Sequence, residues 1–381
     1  MDKIKIPRIL KDQIIERLDD SNKIIIIYGP RQVGKTTLSK DIIGHLGLKT
    51  LSINADQQKY IDVLSSRDFN KMNSLVSGYD LIFIDEAQRI PDIGLNLKIL
   101  SDELPNLKII VTGSSSFDLA NKVSEPLTGR TWSYTLYPIS FCELKKTLNE
   151  FELNNQLEER LIFGSYPEVV TTINQKQRQD LLEEISRAYL YKDVLDLSHI
   201  KHPNKIKDLL KLLAFQIGSE VSISELSNSL DLNHETVSSY IDLLEKSFVI
   251  FRISGFSRNL RKEASKMDKI FFWDLGMRNA VIDNFKSLKD RDDIGRLWEN
   301  FLFVERSKYL SYNRIYASKY FWRVHTGAEI DYVEERDGKL CGYEFKYKKN
   351  KIHAPQTWKE TYKESSFDVI TSKNYLDFIA G

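Results

Sequence analysis

The chain has 381 residues, 41% hydrophobic and 29% charged, which fits a folded protein of about two to four domains and excludes a single ordinary core. A net charge of +1 excludes bulk attraction to nucleic acid or membrane, so any basic surface must be local. Cys142 and Cys341 form no Cys-x-x-Cys pair, the six histidines lack ligand spacing, the first nine residues are charged and contain Pro7, and no apolar run nears the roughly 20 residues of a membrane span; a disulfide framework, a zinc site, a signal peptide and a membrane anchor are not expected, and the cytoplasm is.

Residues 7–20 open on a proline suited to a first helical turn and set Ile9, Ile14, Ile15 and Leu18 on one side, which predicts a helix packed beside the next strand. That strand is Lys23-Ile24-Ile25-Ile26-Ile27-Tyr28, a β-branched run of the kind covered on both faces in a parallel sheet. Gly29-Pro30-Arg31-Gln32-Val33-Gly34-Lys35-Thr36 follows and fits G-x-x-x-x-G-K-[ST] at every fixed position, with Thr37 and the residues to Ile43 opening a helix. Strand, glycine loop and helix start aim successive backbone N–H groups at one anion, so residues 29–37 are the predicted ATP-binding loop. In this reading Lys35 reaches the β- and γ-phosphates, and Thr36 places its hydroxyl on Mg²⁺.

Residues 49–53 read as a second strand and 57–76 as a helical crossover. Tyr79-Asp80-Leu81-Ile82-Phe83-Ile84-Asp85-Glu86 is an apolar strand ending in two carboxylates. Asp85 is the expected water-mediated partner of Mg²⁺, and Glu86 can polarise the attacking water, a pairing that suits hydrolysis. Residues 106–112 form another buried strand, ending at Gly113-Ser114-Ser115-Ser116. Ser114 either senses the γ-phosphate or caps the helix over 118–122. Residues 131–137 alternate as a fifth strand, preceded by Leu127-Thr128-Gly129-Arg130. Arg130 either contacts phosphate, in its own or a neighbouring subunit of a homo-oligomer, or is a plain surface arginine.

The phosphate loop, the added strand, Asp85-Glu86 and Ser114 resemble the AAA-type branch of P-loop ATPases. With Asp85-Glu86-Ala87-Gln88, Leu127-Thr128-Gly129-Arg130, Gly164-Ser165-Tyr166-Pro167-Glu168 and the region 327–346, nearly the whole chain resembles prokaryotic ATPases that carry this module first and end in a nuclease-like fold. The resemblance implies ATP binding and hydrolysis. Tyr166-Pro167-Glu168 carries no chemistry of its own.

Residues 138–199 place Phe141, Leu144, Leu148, Leu157, Leu161, Leu181, Leu182, Ile185, Tyr189 and Leu190 at helical steps, which predicts a lid over the nucleotide. From 204 to 253 the pattern is a winged helix: helices over 206–216, 222–230 and 234–246, then a strand over 248–253. The third helix holds Glu235, Asp242 and Glu245 against Lys246, a poor recognition helix. The stretch 252–269 holds Arg252, Arg258, Arg261, Lys262, Lys266 and Lys269 against Glu263 and Asp268, so nucleic acid is expected on that wing; a winged helix used only for packing is the alternative.

Residues 295–310 form an apolar helix in which Leu297, Trp298, Phe301, Leu302, Phe303 and Val304 crowd Glu299, a carboxylate that wants a partner; Arg296 is the simple candidate. Strands follow over 320–324, 327–335 and 340–346, the last two joined at Asp337-Gly338, a strong hairpin signal. Counting outward from Arg336 opposite Lys339 sets Asp331 opposite Glu344 and Glu329 opposite Lys346, all on one face. Opposed carboxylates call for a cation, and oxygen ligands suit Mg²⁺ or Mn²⁺, with Lys346 beside it to orient water or stabilise charge on a scissile phosphate. Asp331, then Glu344-Phe345-Lys346, with Glu299 on the preceding helix, resembles the PD-(D/E)xK nuclease superfamily, which implies a metal held by Glu299, Asp331 and Glu344. Lys346, Lys348, Lys349 and Lys351 make a basic strip that fits a phosphate backbone or an edge-guarding strand alike.

The expected class is therefore α/β: a P-loop parallel-sheet ATPase core over 1–137, a helical lid over 138–203, a winged-helix domain over 204–290 and an α/β PD-(D/E)xK nuclease-like domain over 291–381. The function expected is an ATP-hydrolysing, DNA-associated machine whose ATP state controls a metal-dependent nuclease-like domain. A regulatory or signalling ATPase, whose nuclease-like domain only binds nucleic acid or a protein, is the main alternative, and a protein-remodelling ATPase the third.

Overall fold

The isoleucine run becomes the middle of a parallel sheet because both its faces are covered: every residue of β1, Ile24–Tyr28, is buried in the computed structural model. The structure describes residues 6–113, 127–188, 203–258, 267–348 and 352–381. They fall into two units, chiefly Arg8–Pro138 and chiefly Ile139–Glu245 with Val249–Gly381.

In the N-terminal unit, helices α1 (Ile9–Asp20), α2 (Lys35–Leu46), α3 (Gln58–Leu64), α4 (Phe69–Val76) and α5 (Ile93–Glu103) accompany β1, β2 (Thr50–Asn54), β3 (Leu81–Asp85), β4 (Lys108–Gly113) and β5 (Thr131–Thr135). The strands lie in the order β2-β3-β4-β1-β5, all parallel. Tyr28 pairs with Gly113, Ile84 with Val111 and Asn54 with Asp85, so the loop after β1 and the carboxylates after β3 open on the same sheet edge. α1 buries Leu10, Ile14 and Leu18, a stripe at four-residue steps.

The C-terminal unit begins with α6 (Phe141–Leu144), α7 (Glu150–Phe163), α8 (Pro167–Thr171) and α9 (Gln175–Ala188). α7 and α9 pack on α13 (Leu275–Val281), so the helices expected as a nucleotide lid belong to this unit. Here Gly164-Ser165-Tyr166-Pro167 finds its reason. A β-carbon on Gly164 would sit 2.1 Å from Asp274 Oδ1, while the Ser165 N–H donates to Asp274 Oδ2 at 2.6 Å. Asp274 also caps α13, accepting from the Met277 N–H at 3.0 Å. Asn279 donates to the Ile162 carbonyl at 2.8 Å. The motif is a docking turn between α7 and α13.

Three helices, α10 (Pro203–Phe215), α11 (Ile223–Leu230) and α12 (His234–Lys246), precede a two-stranded antiparallel sheet of β6 (Ile250–Ile253) and β7 (Lys269–Phe272). The long helix α14 (Ile294–Tyr312) then leads into β8 (Ser318–Arg323), β9 (Glu329–Arg336) and β10 (Lys339–Phe345), with β11 (Ser366–Ile370) completing a sheet in the order β11-β10-β9-β8. Asp337 and Gly338 both have positive φ, as a two-residue hairpin requires, and Arg336 pairs with Lys339 as counted from the sequence. Short helices α15 (Gln356–Thr361) and α16 (Tyr375–Ala380) flank β11.

Candidate functional site

The loop after β1 is built by close backbone packing. A β-carbon on Gly29 would meet the Leu136 carbonyl oxygen at 2.2 Å, and Gly29 has φ of +144°, so only glycine lets the chain turn there. Arg8 fixes the loop from outside, donating from Nη1 to the Val33 carbonyl at 2.8 Å and from Nη2 to the Tyr137 carbonyl at 2.6 Å. Gly34 caps α2, Val33 is buried, and Arg31 and Gln32 lie along the turn with Thr37 exposed in the first turn of the helix. The Lys35 ammonium is buried against the loop itself, donating to the carbonyls of Gly29 at 2.8 Å and Pro30 at 2.9 Å. Thr36 Oγ1 donates to Asp85 Oδ2 at 2.8 Å, which joins the phosphate loop to the end of β3.

Asp85 has a second partner that sequence reasoning missed. The hydroxyl of Thr112, buried at the end of β4, donates to Asp85 Oδ1 and accepts from the Glu86 N–H at 3.3 Å. Glu86 stands in the left-handed region with φ of +57°, and Gln88 Nε2 donates to its Oε2 at 2.5 Å. Thr112 could have been found as the residue at the carboxyl end of the strand lying between β1 and β3. Arg8 had no sequence signal.

The second site gathers at β9, β10 and α14. The β9–β10 ladder runs as counted from Lys339 opposite Arg336 to Tyr343 opposite Tyr332. Beyond it the count fails. Between the pairs Tyr320–Val333 and Trp322–Ile330, Asp331 and Tyr332 together face one residue of β8, a bulge that breaks strict alternation. Asp331 Oδ2 accepts from the Phe345 N–H at 2.8 Å, and the Lys346 N–H donates to the Ile370 carbonyl of β11 at 3.0 Å. Lys346 Nζ lies 2.8 Å from Glu344 and 3.9 Å from Asp331. Glu329 does not stand opposite Lys346 as an ion partner; it meets Lys269 at 2.5 Å, and the same ammonium donates to Glu299 at 3.2 Å. Lys269 is thus no part of a basic wing. It is 4% exposed.

Arg296, expected beside Glu299, instead donates to the Phe215 carbonyl at 3.0 Å. Burial pushes the Glu299 carboxyl up to about 8 against the pull of Lys269, with Asp331 adding to the rise. Burial likewise raises Asp331 and Glu344. Burial opposes the Lys269 charge, but Glu299 and Glu329 outweigh it and hold that ammonium above its ordinary value. Phe345 is buried against Phe303, as expected of a core residue.

Residues 21–145 match the family of AAA domains. The N-terminal unit carries an AAA-type P-loop fold. The Walker-type ATPase PABY2304 of Pyrococcus abyssi superposes with a TM-score of 0.51 at 16% identity, covering 74% of this chain and 97% of that one, a likeness of fold. Two further matches, residues 154–288 and 294–374, are to domains of unknown function (DUF8612 and DUF4143). An uncharacterised protein of Mycobacterium tuberculosis is 28% identical over 327 residues, 85% of this chain and 70% of its own. Another, from Methanocaldococcus jannaschii, is 26% identical over 303 residues, 74% of this chain and 66% of its own.

Within the AAA-type unit, Arg130 is not at the nucleotide edge. Its carbonyl accepts from the Ile24 N–H at the start of β1, about 15 Å along the strand from the loop, and its guanidinium pairs with Asp102 at 2.8 Å. Ser114 lies outside the described residues, as do Tyr189, Leu190, His199, His202, Arg261, Lys262, Glu263, Lys266, Lys349 and Lys351. Of the expected basic wing, Arg252 is held by Asp242 at 2.8 Å and Glu245 at 2.5 Å, and Arg258 lies over the Tyr362 ring.

The two expected metal sites differ in fit. At the AAA-type site, a hydroxyl and a carboxylate oxygen meet beside a helix N-terminus, a donor set that suits Mg²⁺ on bound phosphate. At the second site, Glu299, Asp331 and Glu344 do not converge. Among the described residues no group of three or more His, Cys, Asp or Glu side chains is placed to hold a metal. No helix among them is long and apolar enough to cross a membrane.

Proposed function

We propose that this protein binds and hydrolyses ATP at residues 29–37, Asp85 and Glu86, and that turnover controls what its C-terminal unit binds. The observation that carries the reading is the Thr36–Asp85 contact at 2.8 Å: the hydroxyl and carboxylate that we assign to Mg²⁺ meet at the mouth of the phosphate loop. Thr36 and Asp85 would hold Mg²⁺, which neutralises phosphate charge when bound. Lys35 turns from its own loop carbonyls to the β- and γ-phosphates. Glu86, held by Gln88 and anchored through its N–H to Thr112, orients and polarises the attacking water.

For the C-terminal unit we favour a regulatory role in which the PD-(D/E)xK-like sheet binds nucleic acid or a protein partner without cutting. Lys346 beside Asp331 and Glu344 supports the nuclease-like ancestry; the lysine ion pairs on Glu299 and Glu329 speak against metal-dependent cleavage in this arrangement. A neighbouring subunit's nucleotide is where Arg130 would act, if the protein is a homo-oligomer.

The test is phosphate release from ATP by the full chain with and without DNA. Lys35→Ala is expected to lower turnover by at least about 100-fold. Normal turnover in that variant would remove the central site. Cutting of DNA by the wild type with Mg²⁺ or Mn²⁺, lost in Lys346→Ala, would replace the binding role by an active nuclease.

A further inference from the structure

In the AAA-type unit, Arg8 stands where the chain enters and reaches to where it leaves. The main segment of this unit runs from Arg8 to Pro138, and the flanking residues Pro7 and Ile139 belong to the C-terminal unit. From the first residue of that segment, a half-buried guanidinium donates through Nη1 to the Val33 carbonyl of the phosphate loop at 2.8 Å. Through Nη2 it donates to the Tyr137 carbonyl at 2.6 Å, one residue before the exit at Pro138. The loop also grips Leu136. The Leu136 N–H donates to the Tyr28 carbonyl at 2.8 Å, and a β-carbon on Gly29 would sit 2.2 Å from the Leu136 carbonyl oxygen. Pro138 fixes its own φ and restricts Tyr137, so the exit is a stiff link.

We propose that Arg8 is a positioning residue for bound nucleotide: it aims the Gly34 N–H at the β-phosphate and relays the filling of the loop to residues 136–138, where the chain passes to the C-terminal unit. The aiming follows from peptide geometry. The Val33 carbonyl and the Gly34 N–H share one trans peptide plane and point in opposite directions. A carbonyl drawn outward to the guanidinium therefore turns the Gly34 N–H toward the hollow of the loop, where the N–H groups of a phosphate site converge. A charged donor on that carbonyl also polarises the peptide and strengthens its N–H as a donor. The relay follows from the fork of the guanidinium, which holds Val33 and Tyr137 at once; the point charge of a lysine ammonium does not reproduce that planar geometry. Arg8 N-caps α1, and the Lys11–Asp41 pair at 2.9 Å ties α1 to α2, so the fork is carried by a helix fixed on the helix that opens at Lys35.

The inference rests on the nucleotide-binding reading of residues 29–37, and its test needs no hydrolysis: ADP with Mg²⁺ is added to the full chain. Hydrogen–deuterium exchange read by mass spectrometry follows the amides of residues 28–37 and 136–141. In the wild type, ADP should slow exchange in both segments. In Arg8→Ala, ADP affinity should fall by at least about tenfold, the loss expected for a charge-assisted contact. At saturating ADP the slowing should persist over 28–37 and vanish over 136–141. Arg8→Lys keeps a cation beside the loop and should show the same split with a melting temperature near wild type, so the test holds if the alanine variant does not fold. With ATP, KM should rise more than kcat falls in both variants. Slowing over 136–141 that survives in folded Arg8→Lys at saturating ADP would overturn the relay, and unchanged ADP affinity in both variants would overturn the aiming of Gly34. No ADP binding by the wild type, with Lys35→Ala no different, would remove the nucleotide reading and the inference with it.

Discussion

The loop after β1 and the cluster on β9, β10 and α14 are built from different materials. In the AAA-type unit the phosphate loop is shaped by backbone, with Gly29 against the Leu136 carbonyl and Lys35 on two loop carbonyls, and Arg8 and the Thr36–Asp85 contact tie it to its surroundings. In the C-terminal unit the chemistry-bearing groups are buried and half-buried charges that neutralise each other: Lys269 with Glu299 and Glu329, Lys346 with Glu344, Arg306 with Glu334. A site made of backbone N–H groups waits for an anion at little cost to the fold, whereas a cluster of buried charges must be compensated by the chain itself. Substitutions in the first region should therefore show in turnover, and in the second in stability.

The largest effect should come from Glu86→Gln. Phosphate release is expected to fall by about 10²–10⁴-fold while nucleotide affinity and melting temperature stay near wild type. Loss of ATP affinity in the folded variant would mean that Glu86 shapes the loop and does not act on water.

The opposite pattern is expected for Glu334→Ala. Glu334 is 1% exposed, receives both Arg306 Nε at 2.9 Å and Nη2 at 3.0 Å, and accepts from Tyr332 at 3.1 Å. Stranding that arginine should destabilise the unit by about 3–5 kcal/mol in urea unfolding, with turnover by the folded protein unchanged. A stability-neutral result would break the comparison between the two regions.

Acid should sharpen it. Burial works against the Asp293 charge, yet Arg291 and Arg278 hold its carboxyl down at about 2 from the usual 3.8. The unfolded chain takes up this proton first, so the stabilisation is present above pH 3.8 and is lost as pH falls through about 2. Asp293→Asn should lower stability at neutral pH and flatten the loss between those values, read by acid unfolding at fixed temperature. The smallest effect belongs to Arg130→Ala. Its exposed pair with Asp102 is far from the loop along β1, and both turnover of the isolated chain and stability should stay within error of wild type.

How much of this was legible follows from the same contrast. Residues 29–37, Asp85 and Glu86 could be placed from sequence because a phosphate loop is contiguous and its flanking strands announce themselves by burial on both faces. The hairpin register was legible too, since Asp337-Gly338 fixes the count from Arg336 opposite Lys339. The sequence neighbours of Lys269 are basic and point to a wing, and only tertiary packing turns it inward to two carboxylates. The bulge at Asp331-Tyr332 was hidden because alternation on a strand carries no record of what its partner strand skips.

By itself, then, the sequence determined the local structures: a β-branched run, a glycine loop, a two-residue turn and helical stripes each need only neighbours in the chain. The tertiary structure alone decided which charges compensate which. It put Thr112 on Asp85, Arg8 on the phosphate loop, the expected lid helices against α13, and Lys269 among Glu299 and Glu329. The physical reason is that backbone geometry is set by nearest neighbours, whereas the partner of a buried charge is whichever opposite charge the folded chain brings within a few ångströms.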